Sequence, residues 1–226
     1  MQINVKSEQV QIGVLSVKNF KARADQDEFN LLVHQTIAKI NQDYGMLSRK
    51  QLKKKSPIDE YAEYYKRYGY SYPVLGQLES FLKGEKQLEE DIPLLKILLL
   101  TELESMLLMA GHDMNAIQMP LTLDRGPQDT EIEYVGISKR NQKIGINDFY
   151  IRDTEAVISS VLRGPDYRTR ITESTQDALF IIYGLYETNP LEEELQRTLD
   201  RLEKLLKACS PECIIGAKNI VQKNSL

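Results

Sequence analysis

Cysteine is nearly absent from this 226-residue chain: only Cys209 and Cys213 occur, separated by Ser-Pro-Glu. That excludes a framework of spaced disulfides and fits a reducing cytoplasm. Two thiols cannot close a zinc site alone, and the only histidines are His34 and His112. No metal and no cofactor is expected. The sequence also lacks a P-loop, a nucleophile elbow and any clustered metal-ligand set, which removes several signature-bearing enzyme classes. Long apolar runs are missing as well. Those around 97–100 and 106–110 are too short and too interrupted to span a bilayer, so no membrane partner is expected. The N-terminal stretch has no apolar core behind a basic start. It alternates instead, as a strand does and a secretory leader does not.

Positive charge is in deficit. Lys and Arg number 29 against 33 Asp and Glu, giving a net charge of −4 and a pI of about 5.4. Proteins that grip nucleic acid over a wide surface are usually basic, so extensive RNA binding is not expected, and neither is a DNA partner. Local contact stays open, because charge distribution matters more than the sum. Arg49, Lys50, Lys53, Lys54 and Lys55 form one dense basic run. It reads either as a solvated helix end or as a seat for an RNA backbone.

What is present is an ordinary globular composition, 42% hydrophobic and 27% charged. Val10, Ile12, Val14 and Leu15 suggest a first strand. Residues 27–44 carry Phe29, Leu32, Val33, Ile37 and Ile40 at helical spacing, with Gly45 as a stop. Ser56-Pro57-Ile58-Asp59 reads as a helix start, with Ser56 as the cap. The helix that follows bears Tyr61, Tyr64, Tyr65 and Tyr68, a stripe that either stacks bases or, more commonly, packs on a neighbour. Tyr72-Pro73 opens a short helix, an acidic connection follows at 85–91, and Pro93 starts a long helix expected to run to about Met109.

Beyond Gly111 the pattern turns extended, with short strands at 120–123, 131–135 and 149–152 and a polar turn at 141–143. Helices are expected at 172–186 and 191–208, with Asn189-Pro190 between them. Helices, then a strand cluster, then helices indicate an α+β fold.

Residues 153–175, DTEAVISSVLRGPDYRTRITEST, concentrate the polar chemistry. Residues 157–162 alternate as a strand, Arg163-Gly164-Pro165-Asp166 breaks it, and Thr172, Ser174 and Thr175 crowd hydroxyls at an expected helix start. Between them lie Asp166, Arg168, Thr169 and Arg170. A loop with an acid, two guanidiniums and hydroxyls beside exposed backbone N–H groups suits a small zwitterion or an ester. His112-Asp113 sits where an apolar segment ends. It reads either as a capping turn or as a histidine at a pocket mouth, able to orient a water. Glu131, Asp148 and Asp153 fall near strand ends, where turn residues are common.

This segment resembles the substrate loop of the B3/B4 domain, the editing domain in the β subunit of bacterial phenylalanyl-tRNA synthetase. Asp153, residues 157–162, Gly164, Asp166 and Thr172-Glu173-Ser174-Thr175 take the places of that loop's parts. Free-standing B3/B4 proteins are more similar still, through Ala110-Gly111-His112-Asp113, Pro120-Leu121-Thr122-Leu123 and Gly164-Pro165-Asp166-Tyr167-Arg168-Thr169. The likeness covers about residues 56–186. It implies one B3/B4-like domain over 1–226: a strand-and-helix extension at 1–55, the core at 56–186 and a helical segment at 187–226. The implied architecture is layered β-sheets with flanking helices.

The resemblance further implies a cytoplasmic deacylase acting on the ester of a mischarged aminoacyl-tRNA, with tRNA as partner. The alternative is a non-catalytic module that binds a free amino acid or a similar small molecule. His112, Asp166 and Thr169 are the implied catalytic or water-orienting group. Asp113, Glu131, Asp148, Asp153, Gly164, Arg168, Arg170, Thr172 and Glu173 are the implied substrate contacts. Arg49, Lys50, Lys53, Lys54 and Lys55 would hold RNA. The sequence departs from the synthetase pattern at two points. His112 falls beside the family's histidine position, and Pro165 rather than Asp166 directly follows the loop glycine.

Overall fold

The computed structural model describes residues 2–7, 9–85, 90–186 and 191–223. In chain order the elements are β1 (Ile3–Val5), β2 (Val10–Lys18), α1 (Asp27–Tyr44), α2 (Arg49–Leu52), α3 (Ile58–Arg67), α4 (Pro73–Leu82), α5 (Pro93–Ser105), β3 (Leu108–Asp113), β4 (Leu121–Arg125), β5 (Glu133–Val135), β6 (Asn141–Lys143), β7 (Phe149–Arg152), β8 (Val157–Ser160), β9 (Gly164–Pro165), β10 (Ala178–Leu185), α6 (Glu192–Cys209) and β11 (Ile214–Val221). The fold class is α+β. One sheet has the order β1-β4-β7-β8-β9, the second has β11-β2-β10-β3, and β5-β6 form a separate hairpin. No described helix is long and apolar enough to cross a membrane.

The second sheet is antiparallel throughout, with β10 between β2 and β3. Every residue of β10 is buried. One of its faces meets α5 and α6, and the other looks toward the first sheet. A strand buried on both faces shows a continuous apolar run, which periodicity alone does not separate from a buried helix. That is why 178–185, within the span 172–186 expected to be helical, is a strand. The hydroxyls taken for a helix start instead shape the turn before it: the Thr172 N–H donates to Thr175 Oγ1 at 2.9 Å.

The helix from Pro93 ends at Ser105, short of Met109. Met106 takes a left-handed conformation with φ 58° and the chain reverses into β3. The buried carboxyl group of Glu102 accepts the N–H of Met109 at 2.9 Å and so ties helix to strand. Residues 141–143, expected as a turn, pair with β5, and the reversal lies before them, where Lys139 has φ 61°. Ser56 is not the cap of α3; Pro57 occupies that position without a side-chain bond. β1, β9 and β11 were not anticipated, and Asn189-Pro190 lies outside the described residues.

The tyrosine stripe of α3 packs inward. Tyr61 stacks on Tyr72 at 4.6 Å and donates to the carbonyl of Tyr183 in β10. Tyr65 donates to the carbonyl of Val161, just after β8. Tyr64 stacks on Phe149 of β7 at 5.8 Å. The helix therefore clamps both sheets, with the hydroxyls of Tyr61 and Tyr65 satisfied by backbone carbonyls in the interior.

Candidate functional site

His112 points into the seam between the two sheets. Residues directly opposed across antiparallel strands share a face, and faces alternate along each strand. His112 opposes Leu179, and Tyr183 follows Leu179 at even spacing, so both look the same way. The Tyr183 hydroxyl meets Ser159 Oγ of β8, which identifies that direction as the facing sheet. Gly184 looks the opposite way, where a Cβ would stand 2.9 Å from Leu195 of α6.

The structure brings His112, Thr169 and Asp166 together. Thr169 Oγ1 lies 2.7 Å from His112 Nδ1 and donates to Asp166 Oδ1. The Thr169 N–H donates to the same oxygen at 3.1 Å. A hydroxyl has one proton, and a carboxylate only accepts. With that proton on Asp166, Thr169 can only accept from the ring. Nδ1 therefore carries the imidazole hydrogen and Nε2 is a bare lone pair. Burial, aided by the Arg168 guanidinium, lowers His112 to about 3, so the ring is neutral. Nε2 is buried and accepts no hydrogen bond from a described residue.

Arg168 anchors the loop from beneath. Its Nη2 donates to Asp153 Oδ2 at 2.8 Å, and its Nε lies 3.8 Å from Asp166 Oδ2. Burial works against the charge of Asp153. The N–H groups of Ala156, Gln118 and Glu155, together with Arg168, outweigh it and hold that carboxyl below the usual range. Asp166 is raised by burial, with Thr169 and Arg168 pulling it back.

The expected open row of backbone donors is absent from this loop. The N–H of Arg163 goes to Ser160 Oγ at 3.0 Å, that of Asp166 to Ile158 at 2.8 Å, and that of Tyr167 to Val135 at 2.8 Å. The β5–β6 hairpin covers the loop, with Tyr134 donating to the Gly164 carbonyl at 2.7 Å. A closed loop satisfies its own donors, because buried unpaired N–H groups are costly.

The other expected contacts scatter. Asp113 is a turn anchor, accepting the Asn115 N–H at 2.9 Å and the Thr175 hydroxyl at 2.7 Å. The guanidinium of Arg170 lies 3.7 Å over the Tyr167 ring. Glu131 is exposed and paired with Lys143 at 2.9 Å, and Glu173 is exposed. Thr172 stays within its own turn. Gly164 has φ 77°, which only glycine adopts without strain.

Asp148 forms a second buried polar centre. Tyr64 donates to its Oδ1 at 2.8 Å, while Oδ2 is buried without a described partner. Burial pushes its carboxyl up to about 6. The close approach of Gly126 to this turn leaves no room for a side chain, since a Cβ would stand 1.9 Å from the Gly145 carbonyl. Sequence reasoning missed the role of Tyr64; the offset of Tyr64 from Tyr61 on α3 was visible, its partner was not.

The basic run is largely committed elsewhere at two positions. Arg49 pairs with Glu79, and Lys55 lies 5.1 Å over the Tyr44 ring. Lys50, Lys53 and Lys54 are exposed. Cys209 and Cys213 are buried free thiols, and the described residues contain no group of three His, Cys, Asp or Glu placed to hold a metal.

No protein-family model matches this sequence, and no curated protein matches it. Among solved structures, the chain is similar to an N-terminal fragment of the phenylalanyl-tRNA synthetase β-subunit from Pyrococcus horikoshii. The identity is 12% and the TM-score 0.48, over 95% of this chain and 50% of that one. The chain thus spans half the length of that fragment.

Proposed function

We propose that this protein is an editing-type deacylase, an ester hydrolase that removes a wrong amino acid from tRNA. The observation that carries the reading is the bare, buried Nε2 of His112 at the end of the Asp166–Thr169–His112 chain. The ordered motifs that resemble those of free-standing B3/B4 proteins support it. On this reading residues 1–226 are one B3/B4-like unit.

An aminoacyl ester is already activated, so hydrolysis needs a positioned water more than a strong base. With its pKa near 3, His112 is too weak a base to deprotonate water and acts by accepting a hydrogen bond that aims it. The water oxygen bonds to the ester carbonyl carbon and the carbon–ribose oxygen bond breaks. One water proton goes to the ribose oxygen and the other to solvent, so the amino acid leaves as a carboxylate. Thr169 and Asp166 hold the ring in its tautomer. The β5–β6 hairpin must lift for substrate to enter. Lys50, Lys53 and Lys54 supply local RNA contact.

The test is deacylation of a panel of mischarged tRNAs by the purified protein. Hydrolysis of one mischarged species, with correctly charged tRNAs spared and activity lost in His112→Asn, is expected. No hydrolysis across the panel overturns the proposal. A second reading, a non-catalytic module for a free amino acid, has one observation in its favour: the loop N–H groups are already occupied. Strong salt dependence of RNA binding separates the first reading from the second.

A further inference from the structure

A cavity of about 350 Å³ opens beside α3 and is not lined by His112, Thr169 or Asp166. Its residues come from α3 and its C-terminal end, the end of β4, the turn before β7 and its start, the end of β10 and the segment before β2. On α3, Glu60, Tyr64 and Tyr68 recur at intervals that place them on one face of a helix. Phe149 stacks on Tyr64, and Tyr64 meets Tyr68 at 5.3 Å, so the cavity has an aromatic floor.

Arg125 is set into this cavity in a fixed pose. Its guanidinium lies 4.8 Å over the Phe149 ring, its Nε donates to Ser7 Oγ at 3.1 Å, and its Nη2 donates to Gln9. No described carboxylate pairs with it, and Nη1 donates to no described residue. Its sequence neighbour Asp124 is engaged by Lys6 at 2.8 Å. Glu60 lines the same cavity, half-buried, and Arg67, which lines it too, favours the charged form of its carboxyl. A half-buried guanidinium without a carboxylate partner is costly unless something else answers it.

We infer that this cavity binds a zwitterion of amino-acid size, its carboxylate on Arg125, its ammonium on Glu60 and an aromatic or branched apolar side chain on the Tyr64–Phe149 floor. The chemistry is complementary at each end. A guanidinium fixed by two side-chain acceptors presents a preoriented donor to a carboxylate. A carboxylate accepts from an ammonium, and stacked rings bury apolar surface. The volume falls in the range of small-molecule sites, about 300–1,000 Å³. The inference rests on neither reading of His112, since the cavity and that histidine share no residue.

Thermal stabilisation and calorimetry with free L-phenylalanine and L-leucine, without tRNA, test it. Two analogues report on the ends separately: 3-phenylpropionate lacks the ammonium and phenethylamine lacks the carboxylate. L-Phenylalanine at millimolar concentration is expected to raise the Tm, and each analogue to bind at least about tenfold more weakly. Glu60→Gln should abolish the preference over 3-phenylpropionate while keeping affinity for it. Arg125→Gln should abolish binding of both carboxylates. The analogue series on the unaltered protein stands even if Arg125→Gln folds poorly. No stabilisation by either amino acid overturns the inference, and so does equal binding by the two analogues and L-phenylalanine. Loss of tRNA deacylation with this binding intact would count against the His112 proposal alone.

Discussion

Thr169 stands between His112 and Asp166 as acceptor to one and donor to the other, 2.7 Å from His112 Nδ1. The direction of that chain sets the tautomer of the histidine. It follows that the nitrogen left for chemistry is Nε2, and that Thr169 matters through its hydroxyl.

His112→Asn separates the two ring nitrogens. An asparagine N–H can replace the Nδ1 donor to Thr169, while nothing replaces the Nε2 lone pair. The variant is expected to fold and to lose deacylation. Its stability should also respond less to acid. The histidine is neutral in the folded state, with its pKa lowered to about 3 from 6.5. Its contribution is present above pH 6.5 and is lost as pH falls toward 3, at about 1.4 kcal/mol per unit. Denaturant melts of both proteins across pH 4–7 check this; parallel curves would count against a buried neutral ring.

Asp166→Ala removes the acceptor for two Thr169 donors in a buried loop. A loss of about 1–3 kcal/mol of stability is expected, because those donors are left unpaired. Thr169→Val should cost a similar amount and Thr169→Ser much less. Urea denaturation of the three variants measures the order, and a neutral Asp166→Ala would remove the loop-locking role.

Glu102 is a buried carboxyl at the α5–β3 junction, pushed up to about 8 from 4.5 by burial, with the Met109 N–H opposing. Folding favours its protonated form. Its presence therefore lowers stability as pH rises from 4.5 to 8, and the loss is complete above 8. Glu102→Gln removes that dependence. The variant should gain on the parent by roughly 1.4 kcal/mol per unit across that window, with the difference flat above it. Melts at pH 5, 7 and 9 test the sign.

Tyr64→Phe deletes the donor to Asp148 and the acceptor of the Phe149 N–H at 2.9 Å. A destabilisation of about 1–3 kcal/mol is expected. The Asp148 carboxyl should titrate higher than its present value of about 6, since burial then meets less opposition. Carboxyl chemical shifts followed against pH would show it; an unchanged midpoint would mean that Tyr64 does not tune Asp148.

The α+β class was legible in the order of patterns, and α1 matches its expected span from Asp27 to Tyr44. Strand β7 matches as well, because Phe149 to Arg152 carries β-forming residues between turn signals. The His112, Asp166 and Thr169 group was legible from the motifs that flank it, and the structure does bring those three side chains together. Thr172, Glu173 and Glu131 were drawn in by sequence proximity or resemblance, and they face their own turn, solvent and Lys143 respectively. The cavity at Arg125 was not legible at all, because Glu60, Arg125 and Phe149 are far apart in the chain.

Sequence by itself determined which segments are amphipathic and where α1 and α6 run. These follow from local periodicity and residue type. Tertiary structure alone decided that residues 178–185 are a strand, that Met106 breaks the helix before β3, and that His112 is a neutral donor at Nδ1. Each depends on partners distant in sequence: β2 and β3 on either side of β10, Glu102 against Met109, and Asp166 through Thr169. A buried apolar run is compatible with helix and strand alike, and the second sheet supplies the hydrogen bonds that choose between them.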